Sequence, residues 1–165
     1  MATTTKIVPC LWFDGQAEEA ANYYVSIFED AKITKITRYG TVGQEIHKRP
    51  PGSVLTVEFE LDGQPFTALN GGPGFKFNEA VSMQVMCRDQ EEVDRFWARL
   101  SEGGDPAAQE CGWLKDRFGV SWQVVPTEIS ALVDDQTTPG GQRAMAALLK
   151  MKKLDLAALK RAYAG

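Results

Sequence analysis

The feature that most constrains the fold is an internal repeat. Glu19-Ala-Ala-Asn-Tyr-Tyr24 can be laid on Glu92-Val-Asp-Arg-Phe-Trp97, so that an aromatic pair ends both segments. Each segment belongs to an amphipathic helix that follows a short apolar strand and precedes a β-hairpin. A small sheet with one helix cannot bury both of its faces, and pairing with a second copy would solve that. The sequence therefore predicts a doubled strand-helix-strand-strand-strand unit, against the alternative of a chance likeness between two amphipathic helices.

The first copy is predicted over the first half of the chain. Strands are expected at residues 7–13, 33–39, 54–61 and 64–70, with Asp62-Gly63 turning the last pair into a hairpin. Residues 40–52, which include His47, have no sustained periodicity and predict a long mobile loop. The helix after the first strand carries an apolar stripe, made of Ala17, Ala20, Ala21, Tyr24, Ile27 and Phe28.

The second copy repeats this order without a counterpart of the loop. A strand at 81–87 precedes a helix for which Asp89 is the predicted N-cap, with Glu92 in capping-box spacing. A hairpin follows over 111–126, with a polar turn at Lys115-Asp116-Arg117 and Gly119 at its exit. The second helix is predicted to bury Val93, Phe96, Trp97 and Leu100.

The tail differs from both copies. Residues 137–141 break the chain, and two short amphipathic helices follow, the second one capped by Asp155. The first is predicted to present Ala144, Met145, Leu148 and Leu149, and the second Leu156, Leu159 and Tyr163. The predicted organisation is one domain over residues 6–130, with module one at 6–75 and module two at 80–130, followed by a helical extension at 139–163.

Composition excludes some classes of partner. A net charge of −4 argues against nucleic acid, and the lysines at 150, 152 and 153 fit a solvated helix face. No apolar run approaches the roughly 20 residues that span a bilayer, and the leader Met1-Ala-Thr-Thr-Thr lacks the features of a signal peptide. The three cysteines lie unclustered in apolar runs and predict reduced thiols. A cytoplasmic protein is expected.

Several motifs together resemble the PhnB-like proteins. These carry the 3-demethylubiquinone-9 3-methyltransferase domain label and belong to the vicinal oxygen chelate superfamily, with glyoxalase I, bleomycin-resistance proteins and extradiol dioxygenases. The resemblance covers about residues 6 to 163 and implies an α+β fold. In that fold two βαβββ modules form a glyoxalase/bleomycin-resistance-type curved sheet around a cavity, commonly in a homodimer that can exchange strands or modules. The motifs are Pro9-x-Leu-x-Phe13, Ala17-Glu-Glu-Ala20, Asn22-Tyr-Tyr24, Phe66-Thr-Ala-Leu-Asn70-Gly-Gly-Pro73, Phe75-Lys-Phe77-Asn-Glu79 and Cys111-Gly-Trp113-Leu-x-Asp116-x-Phe-Gly119-x-Ser-Trp122-Gln-x-Val-Pro126.

The superfamily's chemistry usually rests on a divalent metal ion. In the superfamily the metal ligands are His, Gln or Glu from the first and last strands of each module. The lone pairs of such ligands must converge on one point. Those positions here hold Pro9, then Ser82, Met83 or Gln84, then Gln123, and Ala68 or Asn70. Amides alone would give a metal ion no anionic or imidazole ligand. The sequence therefore predicts no metal and no cofactor.

The methyltransferase label implies a methyl-donor site. Such a site commonly needs a glycine-rich turn that follows a parallel strand and opens onto a helix. Gly71-Gly72-Pro73-Gly74 follows a strand, but its proline and its hairpin context disagree with that pattern. Methyl transfer is kept as an alternative.

Pocket candidates follow from the resemblance and from the residue types. Gln123, with Ser121 on the same face, is the leading candidate, against the alternative of a surface glutamine. Tryptophan side chains would floor an apolar pocket or serve only as packing. Glu58 would act as a general base if its face lines the cavity and desolvates it. The candidate ligand-pocket residues are Gln123, Ser121, Trp122, Asn70, Gln84, Glu58, Trp12 and Trp113, and no catalytic residue is assigned.

Four further residues have an ordinary interpretation. Cys111 would be a nucleophile only if something lowered its pKa. His47 would gate the cavity or titrate near neutrality, against the alternative of an exposed loop histidine. Asp116 and Arg117 are expected to form the hairpin turn and no more.

Two functional hypotheses of different class remain. In the first, the protein binds a small, partly apolar molecule without a metal ion, as drug-binding members of the superfamily do. In the second, it is an enzyme of the same fold, of lyase or isomerase type or the methyltransferase of the label, acting on a small metabolite. A third option is a dimer whose tail helices form an interaction surface. Tight stoichiometric uptake of a divalent metal would favour the enzyme.

Overall fold

The computed structural model of the protein describes residues 5–165. The chain divides into two compact units. The first ends at Phe77, and the second is Asn78–Gly165. Residues 1–4 of the predicted leader lie outside the described residues. The strands are β1 (Cys10–Phe13), β2 (Lys32–Arg38), β3 (Val54–Leu61), β4 (Gln64–Asn70), β5 (Ser82–Cys87), β6 (Trp113–Lys115) and β7 (Ser121–Pro126), and the helices are α1 (Ala17–Val25), α2 (Gln44–His47), α3 (Gln90–Ser101), α4 (Ile129–Val133), α5 (Pro139–Leu148) and α6 (Leu156–Ala164).

The first unit is a four-stranded sheet with one helix on one face. The strand order is β1-β4-β3-β2, with β1 parallel to β4 and the other pairs antiparallel. Helix α1 packs against β2, β3 and β4. Tyr24 of α1 is fully buried, and its ring lies 6.1 Å from that of Phe59 on β3. Burying an aromatic side chain of this size stabilises the unit by about 1.5–3 kcal/mol.

The β3–β4 hairpin has the predicted turn. Asp62 and Gly63 both have positive φ, 48° and 74°, which is the backbone of a type I′ turn. That turn matches the twist of the two strands and sets their register, with Leu61 opposite Gln64. The prediction of this hairpin from Asp-Gly is confirmed.

The second unit has the same order with one strand fewer. Its sheet is β5-β7-β6, with β5 parallel to β7 and β6 antiparallel to it. Asp89 caps α3 by accepting from the N–H of Glu92 at 2.9 Å, and the β6–β7 hairpin turns at Asp116, both as predicted. Where the first unit has β2, the second has residues 102–112 with a 3₁₀ turn at Pro106–Ala108.

The repeat is visible in both units. The pairing that lays Glu19 on Glu92 also lays the start of α1, Ala17, on the start of α3, Gln90. The two helices bury different members of the aromatic pair. In α1 the second member, Tyr24, is buried, whereas in α3 the first member, Phe96, is buried and Trp97 is not. The two sheets share their pairing pattern, since in each the first strand lies parallel to the last.

The tail helices belong to the second unit. Ile129, Val133, Ala144, Leu154 and Leu159 form one buried cluster. Asp155 caps α6 as predicted, accepting from the N–H of Ala158 at 2.8 Å. The predicted apolar face of the tail is only partly buried, because Leu149 and Tyr163 keep 62% and 38% of their surface exposed.

The loop at 40–52 contains local structure that its sequence does not indicate. It contains the single-turn helix α2, flanked by Gly43 and Lys48 in the left-handed region. Hydrogen bonds between Tyr39 and the segment Gly52–Ser53 close its base.

Among residues 5–165, no helix combines the length and the apolar character that a bilayer span requires.

Candidate functional site

In the second unit, polar side chains collect on the sheet face opposite α3. Strand alternation places Ser82 and Gln84 of β5 beside Ser121 and Gln123 of β7 on this face. Gln123 donates from Nε2 to the Ser82 hydroxyl at 2.9 Å, and Gln84 donates to Oε1 of Gln123 at 3.3 Å. Trp113 of β6 lies opposite Gln123. We call these residues the amide row: Ser82, Gln84, Trp113, Ser121 and Gln123.

Ser121 is the unusual member of the amide row. Its side chain is 2% exposed, and its hydroxyl oxygen has no hydrogen-bond partner within the part of the chain that the structure describes. A buried hydroxyl without a partner costs about 1–3 kcal/mol. Such groups in native proteins call for an explanation, and a binding or catalytic role is one of them.

An ion pair lies beside the amide row. Lys115 is the cross-strand neighbour of Ser121, and its ammonium group pairs with the carboxylate of Glu79. The hydrogen bond from Lys115 lowers the pKa of Glu79. The end of the row near Ser121 is therefore bordered by a charged pair.

In the first unit, the face opposite α1 carries a fixed tryptophan. The indole N–H of Trp12 donates to the carbonyl of Gly72 at 2.8 Å, and the Phe75 ring meets the indole edge-on at 4.8 Å. The indole also lies so close to Gly71 that a Cβ there would stand 2.3 Å from its ring atoms. Trp12 remains partly exposed, whereas Phe75 is 68% exposed. The geometry gives the sheet an oriented aromatic surface.

Hydroxyl and carboxylate groups share this face with Trp12. Thr56 lies in the same cross-strand row through Leu69, and its hydroxyl is 2.6 Å from that of Thr37. Glu58 lies in the next row, where its carboxylate is 3.7 Å from the Lys35 ammonium. The Glu58 side chain is 44% exposed, so this chain alone does not give it the desolvation that a general base would need. We call this surface the Trp12 face: Trp12, Thr56, Glu58, Thr67 and Leu69.

Two sequence-predicted pocket residues lie on the helix-covered faces instead. Asn70 is 5% exposed, and its side chain accepts from the N–H of Ala17 at 2.9 Å and donates to the carbonyl of Val54 at 3.1 Å. It thereby caps α1, whose own N-cap residue Gln16 makes no side-chain bond. Trp122 is 2% exposed and is part of the core under α3. The structure places six of the eight candidates on the two faces opposite the helices, where Ser121 is itself buried. The other two lie on the helix-covered faces, and Asn70 also lines a concavity at the start of α1.

The Asp116 carboxylate organises the β6–β7 turn. It is 2% exposed and accepts from the amides of Phe118 and Val120, at 2.8 and 3.0 Å, and from the Trp122 indole at 2.8 Å. The turn role expected for Asp116 thus includes a bond into the core that the spacing alone does not reveal.

The cysteines are poor nucleophiles. Burial raises the pKa of the Cys111 thiol, with a further contribution from Glu110, and burial also raises the pKa of Cys10. Burial, with Glu92 adding to it, raises the pKa of Cys87 to about 12. Because the thiolate is the reactive form, these thiols stay protonated near neutral pH.

The donor set on the open faces does not fit a divalent metal ion. Among residues 5–165, no three His, Cys, Asp or Glu side chains lie close enough together to hold one. In the amide row, Gln84 and Gln123 are neutral and already hydrogen-bonded to each other. Hard and borderline cations select carboxylate, imidazole or thiolate ligands over such amides.

The sequence did not single out a concavity at the start of α1. It has a volume of about 280 Å³. Arg49 contributes a wall of it and pairs with Asp14. The sequence signal that could have indicated this concavity was Arg49, a basic residue in a glycine- and proline-rich loop. The lining residues are Gly15, Glu18, Arg49, Pro50, Ser53, Val54 and Asn70.

Comparison with known proteins defines the class. Residues 5–125 match the family model described as 3-demethylubiquinone-9 3-methyltransferase. The PhnB protein of Bacillus cereus is 35% identical, with a TM-score of 0.63 over 74% of this chain and 99% of that one. A protein of Pseudomonas aeruginosa is 20% identical, with a TM-score of 0.56 over 74% of this chain and 98% of that one. A glyoxylase/bleomycin resistance protein/dioxygenase domain from Frankia sp. EAN1pec is 14% identical, with a TM-score of 0.47 over 74% and 97%. A search of curated proteins gives no significant match.

The predicted α+β class is confirmed: each of the two units joins a small sheet to helices. Within that class, the chain belongs to the PhnB-like family of the 3-demethylubiquinone-9 3-methyltransferase model. The family match ends at residue 125, short of the 163 that the resemblance implies, and helices α4, α5 and α6 lie beyond it.

Proposed function

We propose that the protein binds a small, partly apolar molecule and holds it without a metal ion. The observation that carries the proposal is the mixture of groups on each open face. The Trp12 face offers an oriented indole beside hydroxyls, and the amide row offers Trp113 beside amide and hydroxyl groups. Apolar surface with a few placed polar groups is the usual composition of a small-molecule site.

The polar groups indicate what the ligand carries. Gln123 has one amide N–H and one oxygen engaged by neighbours, and the amide can exchange these bonds for bonds to a ligand. The Ser121 hydroxyl has a donor and acceptor capacity that the described chain leaves unused. A ligand with an apolar ring system and one polar acceptor matches this set.

An enzyme of the same fold is less well supported. Glu58 is the one carboxylate that the sequence offers as a base, and it is half exposed and paired with Lys35. The glycine-rich segment 71–74 leads to β5 rather than to a helix, and Trp12 fills the space over Gly71. A methyl donor of the common type would need both a helix start and free space there.

We also propose a cytoplasmic homodimer, organised as a domain at 6–130 with a helical extension at 139–163. Strand β5 is an edge of its sheet, and next to its start Val81 is 73% exposed, while Met86 within it is 51% exposed. An apolar edge strand is a template for pairing with another chain. Sedimentation of the wild type and of Met86→Lys would test the dimer, since a lysine at this edge should favour the monomer.

The binding proposal is tested by titration with 8-anilinonaphthalene-1-sulfonate, which joins apolar rings to an acceptor. We expect saturable binding that is unchanged by EDTA. Trp12→Ala and Gln123→Ala should each weaken it about tenfold, or about 1.4 kcal/mol. Matched controls are Trp97→Ala, on α3, and Gln136→Ala, an exposed glutamine.

Two results would contradict the proposal. If dye binding required an added divalent cation, the site would be a metal site and the proposal of metal-free binding would be wrong. Equal losses in the open-face variants and in the controls would show that the dye reports general loosening of the protein rather than a site.

A further inference from the structure

The loop at 40–52 holds the one histidine of the chain by contacts at both ring nitrogens. His47 Nδ1 accepts from the backbone N–H of Arg49 at 3.0 Å, and Nε2 lies 3.3 Å from the carbonyl oxygen of Val42. A backbone N–H can only donate, and a carbonyl can only accept. Both contacts are therefore satisfied only by the neutral ring with its hydrogen on Nε2.

The ring is also tied to the start of α1. It packs against Tyr39 with ring centroids 4.4 Å apart, and the Tyr39 hydroxyl donates to the carbonyl of Asn70 at 2.5 Å. Asn70 in turn caps α1 at Ala17. The His47 ring is thus linked through Tyr39 to the residue that orders the first turn of the helix.

Arg49 connects the same histidine to the concavity at the start of α1. Its backbone is held by His47, and its guanidinium pairs with Asp14 and lines the space of about 280 Å³. Only 24% of the Arg49 side chain is exposed. The backbone of this wall residue is therefore held by His47, and its guanidinium is held by Asp14.

We propose that His47 is a pH-sensitive switch that controls the Arg49 wall of this concavity. Protonation places a hydrogen on Nδ1, directly facing the N–H of Arg49, so that an attractive contact becomes a repulsive one. Arg49 and the α2 turn are then released, and the concavity loses its wall. The switch acts in one direction: the neutral ring closes the segment, and the charged ring opens it.

Charged groups of both signs surround this segment. Lys48 and Arg49 on the same segment are basic, and Glu45 on α2 is acidic. From the elements packed nearby, Asp14 and Glu18 add acidic groups, and Tyr39 contributes its aromatic ring. None of these groups can supply an acceptor at Nδ1 while the Arg49 amide remains there.

The switch does not rest on the proposed function, since neither the Trp12 face nor the amide row includes His47 or Arg49. A single histidine makes nuclear magnetic resonance decisive, because every imidazole signal of the untagged chain belongs to His47. Ring ¹⁵N shifts should show the Nε2–H tautomer at neutral pH. Between about pH 8 and about pH 5, hydrogen exchange of the Arg49 amide, corrected for its intrinsic pH dependence, should accelerate about tenfold with the midpoint of the His47 titration.

The controls separate the switch from general acid effects. His47→Phe keeps a ring against Tyr39 but cannot titrate, so the step in Arg49 exchange should vanish. Tyr39→Phe keeps the titrating ring and should keep the step. The proposal is overturned by an Nδ1–H tautomer at neutral pH, by Arg49 exchange that does not follow the His47 midpoint, or by a step that persists in His47→Phe. The first two results come from the wild type alone and need no variant to fold.

Discussion

Replacing Asp116 by alanine should be among the most damaging single changes in the second unit. The carboxylate accepts three hydrogen bonds, from the amides of Phe118 and Val120 and from the Trp122 indole. The Val120 and Trp122 donors are buried, and each buried donor without an acceptor costs about 1–3 kcal/mol. Allowing for water entering the vacated space, we expect Asp116→Ala to lower the free energy of unfolding by about 3–5 kcal/mol.

The measurement is urea unfolding followed by far-ultraviolet circular dichroism, which does not depend on the tryptophan that changes partner. The matched control is Asp105→Ala, since Asp105 is an exposed aspartate that accepts one bond, from the amide of Ala107. It should cost no more than about 1 kcal/mol. The coupling between Asp116→Ala and Trp122→Phe should reach about 1–3 kcal/mol in a double-mutant cycle. An Asp116→Ala loss no larger than that of the control would refute the assignment.

Two further predictions test other contacts. Gly71→Ala should displace the Trp12 indole, because the new Cβ would stand 2.3 Å from its ring. We expect this change to lower the free energy of unfolding by about 1–3 kcal/mol in the same urea assay. Gly74→Ala is the control and should be near neutral, because no atom lies within 4 Å of its Cβ. The hydrogen bond from Lys153 lowers the pKa of Asp94. Lys153→Met should therefore lower the free energy of unfolding at neutral pH. The difference in stability from the wild type should disappear as pH falls through the Asp94 pKa of the folded state. Unfolding measured from about pH 7 to about pH 3 would contradict this if the difference grew.

The parts of the fold that follow from short-range chemistry were predictable. Asp62-Gly63 supports a type I′ turn at any place where two strands meet, and the Asp89 cap needs only the first turn of its helix. Such signals are local, so they predict the turn or cap independently of the rest of the fold. The helix α2 was missed for the converse reason. Its four residues have no periodicity, and left-handed Gly43 and Lys48 delimit it.

The distribution of the candidate site residues over the two faces of each sheet has a geometric cause. Alternation along β7 already separates Trp122 from Ser121 and Gln123, because successive side chains point to opposite faces. The expectation that all three line one pocket neglected this period. Asn70 shares the helix-covered face with Ala68 for the same reason, and its amide serves the start of α1. What the sequence could not reveal is distance between remote segments, as in the contact between Trp12 and Gly71.

The tail completes the second unit at the place where the repeat is incomplete. The first sheet has β2 beside β3, whereas in the described chain β6 has β7 as its one strand neighbour. Just before β6, Cys111 and Gly112 are both left-handed, and their amides donate to the carbonyls of Met151 and Lys152 at 2.8 and 2.7 Å. Leu154, 1% exposed, lies over Gly112 where a side chain would otherwise fit. Since the family match ends at residue 125, these acceptors come from outside the matched segment, and they satisfy backbone donors of the family's own hairpin. The extension therefore acts as part of the second unit's fold, because its carbonyls satisfy the hairpin's amides and Leu154 connects Gly112 to the apolar cluster of the tail.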